Sequence, residues 1–523
     1  MALHWLTLVA AIWLQCINGT NSNFPAYSSH LKRILSISQL KLNNLASAND
    51  AGKLFGWISG VAASYFPLWL VLLIGSLLGL IGYGVQFLFL TNQAHSLSYW
   101  HIFFLTVLAG NSICWINTVC YIITIRNFPF DRQIAVGLST SYVGLSAKIY
   151  TDIVDVAAPA SLSERAKLFL LLNSVLPLLV CIVVSPLARD VNVGKSRKLT
   201  RGFFTMFVIS IITGLFAVIT SLRAVVSGIL PSYMILAGML VILSLPLIVP
   251  MAEKMTEALQ HKCLIVAVHD DEGFTTTLDE KAKDVESGRK NSIVVEGGVV
   301  EEVAPLLMLR RVEFWLYFFV YLFGATLGLV YVNNLAQIAE SRGCSGTSSL
   351  VSLSSAFSFF GRLLPSFLDY FYPRSKRMVT RGGAIGVMMG PMCGAFFLLL
   401  DRQDVSLYVG TAIIGISTGA ITSLSVSTTA ELFGTKNFGV NHNIVVSNIP
   451  IGSFLFGDFA AVFYNRDRNQ GHICMGQNCY QTTFILWGSL CLFGTFLAFI
   501  LHLQTKKLWS HKSSTRQISV TDH

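Results

Sequence analysis

Charge is what this 523-residue sequence has least of. Only 12% of its residues are Asp, Glu, Lys or Arg, while 53% are hydrophobic; a water-soluble chain carries about 25% charged residues. Hydrocarbon rather than water is therefore its main surroundings. Metal-ligand spacing is also missing. The ten cysteines include no CxxC pair and no Cys/His pattern, so a structural zinc site is not expected. Most of them, such as Cys114, Cys120, Cys181, Cys393 and Cys491, fall in apolar runs and read as small buried hydrophobes. The metalloprotease motif HExxH does not occur, and Gly194-Lys195-Ser196 imitates the end of a phosphate loop with Arg189 where the first glycine belongs. His269 beside Asp270, Asp271 and Glu272 reads as a solvated acidic run. No catalytic residue, metal or cofactor is expected. The net charge of +10 does not indicate nucleic acid, because the basic residues gather at helix ends, as membrane topology places them.

Against that background the stretch Met251 to Arg311 stands out, with twenty charged residues. Such a segment cannot lie in hydrocarbon and reads as a water-exposed loop between two membrane halves. The expected organisation is a membrane half over 1–250, the charged loop over 251–311, a second membrane half over 312–503 and a basic tail over 504–523. A span needs roughly 20 mostly apolar residues. Fourteen stretches qualify, near 4–22, 44–64, 67–90, 99–125, 133–151, 167–188, 202–221, 229–250, 312–336, 346–368, 379–400, 405–430, 438–463 and 481–503. The first lacks a basic flank and a small-residue cleavage site, so it reads as a retained helix rather than a secretory signal. With the N-terminus in the cytoplasm, inward segments carry twenty-four Lys and Arg and outward ones ten. The bias predicts both termini cytoplasmic.

Phe128–Thr151 can be laid on Phe433–Phe456, each at an inward loop entering an outward-going helix. Spans one to six and nine to fourteen would then be parallel repeats with two helices inserted between, the plan of major facilitator transporters. Glycines at every fourth position, as in Gly52, Gly56 and Gly60, put small residues on one helix face and predict close packing.

Several blocks carry a family resemblance. They are Trp13 to Tyr27, Gly52 to Gly60, Asp152 to Ala166, Phe314 to Ser341 and Glu431 to Phe456, the last with Glu431-Leu-Phe-Gly and Pro450-Ile-Gly-Ser. In these the chain resembles the plant nodulin-like family with its nuclear-fusion-defective-four-like group. That family is counted in the major facilitator superfamily and is distantly similar to fungal monocarboxylate-transporter-like proteins. The resemblance implies an all-α polytopic fold, alternating access, a small organic solute such as a monocarboxylate, and coupling to H+. One departure is plain: the superfamily's basic signature after span two is replaced by the uncharged Ser64-Tyr65-Phe66-Pro67, while its counterpart after span ten keeps Gly361-Arg362, Asp369 and Arg374 to Arg377.

Charges inside a bilayer are costly and mark candidate functional residues. Asp50 is the leading proton-coupling carboxylate, since burial favours the neutral acid; the alternative reading is that Lys53, one turn away, neutralises it. Lys148 either holds a solute carboxylate or reaches the interface. Arg362, Asp369 and Glu431 read as gate residues, with Lys436 the expected partner of Glu431. Among uncharged polar groups, Asn111, Trp115, Asn333, Asn334, Gln337, Asn441 and Asn448 are candidate solute contacts, because polar groups in lipid need partners in other helices or a wet cavity. Cys474 and Cys479 lie in the last outward loop and Cys344 in another, so one disulfide is expected on that side, its pairing left open. Glu302-Val-Ala-Pro-Leu306-Leu307 matches an acidic dileucine sorting signal, which leaves plasma membrane and vacuolar membrane both open. The competing function is a non-transporting receptor or scaffold that recruits partners through residues 251–311.

Overall fold

The computed structural model describes residues 2–94, 97–157, 162–191, 200–221, 230–270, 302–344, 347–372, 379–466, 474–476 and 478–521. The middle of the charged segment lies outside these residues. All regular structure among them is helical, as lipid demands of a chain whose backbone groups must bond within each segment.

In chain order the helices are α1 (Ala2–Asn23), an interrupted α2 (39–65), α3 (Leu68–Leu90), α4 (Tyr99–Asn127), an interrupted α5 (132–157), α6 (Ser163–Leu187), α7 (Arg201–Ser221) and α8 (Ser232–Gln260). After the charged segment come α9 (Val312–Ser341), α10 (Leu350–Phe371), α11 (Arg381–Leu398), α12 (Asp404–Phe433), α13 (Phe438–Tyr464) and α14 (Asn478–Lys507). Twelve of these are long and apolar enough to cross a membrane. The expected count of about fourteen spans is thus met by only twelve of the fourteen segments. The two exceptions, α2 and α5, break at the 3-10 turns Gly52–Phe55 and Tyr142–Leu145, and both bury charged residues, which lowers their apolar content.

The two halves repeat one packing scheme eight helices apart. Helix α3 packs on α4 and α6, and α2 on α4; correspondingly α11 packs on α12 and α14, and α10 on α12. The halves meet along two seams, α2 against α13 and α5 against α10, which the same eight-helix offset interchanges. The face where α8 ends and α9 begins is called the loop face here, and its opposite the far face.

The inserted pair α7–α8 closes over one seam. On the N-terminal half, Trp5 meets Phe203 with ring centroids 4.9 Å apart, and Trp13 donates its indole N–H to the Leu243 carbonyl at 2.9 Å. On the C-terminal half, Phe207 meets Phe367 and Tyr370 at 5.7 and 5.4 Å. Among the described residues the α2/α13 seam has no such cover: Phe55, Trp57, Leu455 and Phe459 remain exposed along it. Helix α1 is buried through most of its length among α4, α5 and α6, so it is part of the N-terminal core.

Candidate functional site between the halves

Polar groups converge between the halves at three levels. At the far level, Asp50 of α2 is buried and pairs with Lys53 at 2.6 Å. The same carboxylate accepts from the Ser453 hydroxyl of α13 at 2.7 Å and from Asn333 of α9 at 3.3 Å. Asp50 thus joins three helices and both halves. Gln337 reinforces the closure, donating to Asn43 at 3.0 Å and accepting from the Tyr480 hydroxyl at 3.0 Å. A buried carboxylate left without its cation is strongly disfavoured, so Lys53→Met should lower folding stability by about 3–5 kcal/mol. A melting temperature equal to the parent's in nanodiscs would show that Lys53 does not balance Asp50.

In the middle, Arg362 of α10 projects into the interior with partial solvent access. Its Nη1 reaches the Thr140 carbonyl of α5 at 3.4 Å, and its buried Nε has no hydrogen-bond partner among the described residues. Tyr121 of α4 and Tyr321 of α9 are within electrostatic reach of it, and Tyr321 is also within reach of Lys53. Arg362 lies one helical turn from Ser366 on α10.

At the loop level, Gln133 of α5 donates toward Ser366 of α10 at 3.4 Å and Ser423 of α12 at 3.5 Å, while the Ser366 hydroxyl donates to the Gln133 carbonyl at 2.6 Å. Arg381 of α11 gathers the acids: it pairs with Glu431 at 2.8 Å and with Asp369 at 3.6 Å, and donates to Gln133 Oε1 at 2.8 Å. The partner of Glu431 is thus Arg381, and Lys436 engages Glu302 through its backbone instead. Glycine removes the steric barrier beside this gate. A Cβ on Gly60 of α2 would stand 2.3 Å from the carbonyl carbon of Gly439 in α13, nearer than any side chain permits.

The other candidates are engaged in hydrogen bonds within and between helices. Lys148 bonds Asp152 one turn away on α5. Asn111 donates to the Gly52 carbonyl at 2.9 Å and accepts from Trp115 at 2.9 Å, which fastens α4 to the 3-10 turn of α2. Asn334 turns back to the Val330 carbonyl at 2.8 Å. Asn448 accepts from Thr326 at 2.8 Å and reaches the Phe318 carbonyl at 3.5 Å, and those two residues bracket the π-helical turn Leu322–Thr326 of α9. Such turns displace backbone carbonyls from their helical partners, and Asn448 meets one of them. Asn441 donates to the Val303 carbonyl at 3.0 Å. Among the described residues no group of three or more His, Cys, Asp or Glu is placed to hold a metal. Gly415-Ile416-Ser417-Thr418-Gly419 spells the GxSxG pattern of a nucleophile elbow, but it lies inside α12, where the strand-to-helix turn of an elbow is absent. At the far face, Cys474 and Cys479 are bonded to each other.

Residues missed from the sequence include Arg381, which reads there only as a topology charge, and Gln133, Ser366, Ser423, Tyr121, Tyr321 and Ser453. Their common property is a partner far away in sequence, for which helical periodicity gives no signal.

Comparison with known proteins follows the same halves. The family model Nodulin-like matches residues 4–251, and the model NFD4, C-terminal domain, matches residues 296–511. Protein NUCLEAR FUSION DEFECTIVE 4 of Arabidopsis thaliana is 38% identical over 545 residues, covering 99% of this chain and 91% of its own. Among solved structures, a proton:xylose symporter of the major facilitator superfamily, bound to 6-bromo-6-deoxy-D-glucose, superposes with TM-score 0.55 at 11% identity, covering 95% of each chain. A structure from work on substrate recognition in proton dependent oligopeptide transporters superposes with TM-score 0.52 at 12% identity, covering 97% of this chain and 100% of its own. At such identities the likeness is one of fold.

Proposed function

The chain belongs to the nodulin-like family and is a multi-pass membrane protein of the major facilitator fold; from that premise we propose that it is a secondary transporter of a small organic anion, most simply a monocarboxylate, working by alternating access with H+. One observation carries this reading. Among the described residues, the far and middle levels of the interior hold Lys53, Asp50 and Arg362, two cations and one anion. The loop level pairs its own charges through Arg381. Burying an uncompensated cation is expensive, and the open hydrogen-bonding capacity of Arg362 fits a solute carboxylate as its counter-ion. A guanidinium offers a planar fork of donors that suits a carboxylate.

The two gates supply the alternation. Opening the far face separates α2 from α9 and α13, which strips Asp50 of Ser453 and Asn333 and leaves the carboxylate free to take a proton. Closing that face returns both donors, and the proton is given up to the interior. Opening the loop face instead separates Gln133 from Ser366, Ser423 and Arg381. The scheme places the loop face in the cytoplasm, with both termini on that side.

The test is uptake by proteoliposomes from a labelled panel of monocarboxylates, sugars, amino acids and peptides, with and without an inward proton gradient. A monocarboxylate should be the preferred solute, and the gradient should accelerate its uptake several-fold. Asp50→Asn should leave solute exchange measurable and abolish the gradient's effect. Equal uptake of every panel member would remove the anion assignment, and full gradient dependence in Asp50→Asn would remove the proton site.

A further inference from the structure

The end of the charged segment is held at two points. The Glu302 carboxylate accepts from the backbone N–H of Thr435 at 3.1 Å, from that of Lys436 at 2.8 Å and from the Thr435 hydroxyl at 3.4 Å. Val303 follows it into place: its N–H donates to the Phe433 carbonyl at 3.1 Å, and its own carbonyl accepts from Asn441 at 3.0 Å and Asn437 at 3.4 Å. The chain between α12 and α13 turns through Gly434 at φ +83°. A Cβ there would lie 2.3 Å from a Glu302 carboxylate oxygen, so the turn leaves room for this carboxylate and for no side chain of its own. Arg132, the first residue of α5 in the other half, is within electrostatic reach of Glu302.

After this anchorage the chain makes one helical turn, Pro305–Met308. Met308 is buried, but Leu306 and Leu307 are 78% and 55% exposed. Arg310 and Arg311 follow, and Trp315 at the start of α9 donates its indole N–H back to the Leu309 carbonyl at 3.0 Å. Two bare leucines a few residues before a spanning helix, flanked by two arginines and a tryptophan, have the composition of a segment lying in a membrane interface.

We propose that residues 302–311 form an interfacial strap, pinned by Glu302 to the α12–α13 turn and anchored by Leu306 and Leu307 among the lipid acyl chains at the loop face. The strap fixes the loop end of the C-terminal half to the bilayer surface beside the point where α5 must withdraw. It also gives the acidic dileucine sequence a different role. Glu302 is occupied by three hydrogen bonds, so a sorting receptor reading Glu302 together with Leu306 and Leu307 would first have to unseat the strap.

The test uses the full-length protein in nanodiscs of phosphatidylcholine and phosphatidylglycerol. Glu302→Gln keeps the shape of the side chain and removes its charge. Hydrogen–deuterium exchange at Thr435 and Lys436 should then rise roughly tenfold, because amides exchange when their bonds open; exchange unchanged there overturns the pin. For the anchor, Leu306→Cys carries an environment-sensitive fluorophore, with the signal of the identically labelled parent subtracted. Quenching by doxyl-labelled lipid, with protection from aqueous iodide, is expected. Quenching by iodide alone would place Leu306 in water, available to a protein partner, and would overturn the anchor.

Discussion

Arg362→Met should reduce anion uptake by about two orders of magnitude, equivalent to a loss of ~2.7 kcal/mol of interaction with the solute, and should at the same time raise the melting temperature. The two effects have one origin. The buried Nε of Arg362 is without a hydrogen-bond partner among the described residues, and an unsatisfied buried donor destabilises the fold that contains it. Methionine fills comparable space without that cost. A structural arginine behaves oppositely, because its removal leaves other groups unpaired and lowers the melting temperature. Binding sites that trade stability for function are a recurrent pattern. Arg362→Lys should fall between, keeping the charge and losing the fork. Uptake and thermal unfolding, measured on the same protein preparation, decide the matter: parental uptake in Arg362→Met removes the arginine from the site, and a marked drop in melting temperature makes it a structural residue.

Gly60→Val should bring net uptake down to background while leaving solute binding within a few-fold of the parent. The position permits no compromise, since the Cβ would stand 2.3 Å from the Gly439 carbonyl carbon and 2.4 Å from the Val440 nitrogen, both backbone atoms. The α2/α13 seam then cannot close at the loop face, and the carrier stays open there. Binding in detergent solution, where both faces meet the solute, should persist. Gly390→Ala is the control, because a Cβ there meets nothing within 4 Å. Parental transport by Gly60→Val would show that closure at this seam is not part of the cycle; loss of binding along with transport would point to a collapsed fold.

The sequence made the membrane architecture legible because its signals are local. Apolar runs, the charged interruption and the four-residue glycine spacing each lie within one or two turns of helix, and the two repeated halves follow from them. The pair Asp50–Lys53 was equally visible as neighbours on one helix face, whereas Ser453 and Asn333, which turn that pair into a bridge between halves, were not. Arg362 was assigned by its depth in α10 to the gate. Its reach toward Tyr121 and Tyr321 depends on how α10 is rotated, which sequence does not specify. Asn441 and Asn448 looked like cavity residues because an asparagine in lipid needs partners. Their partners are a strap carbonyl and a π-helical turn, neither of which leaves a periodic trace. The 3-10 breaks in α2 and α5 escaped for the same reason.

The hairpin α7–α8 leaves the molecule lopsided. Along the α5/α10 seam both halves meet α7 through ring contacts, so on the proposed cycle that edge would act as the hinge. The α2/α13 edge, bordered by exposed Phe55, Trp57, Leu455 and Phe459, is then where the proposed cycle would part the halves. In a bilayer, lipid tails would lie against those exposed side chains, and each turn of the proposed cycle would part and readmit them. Tail length and unsaturation therefore belong among the determinants of turnover, acting on one flank of the carrier and scarcely on the other.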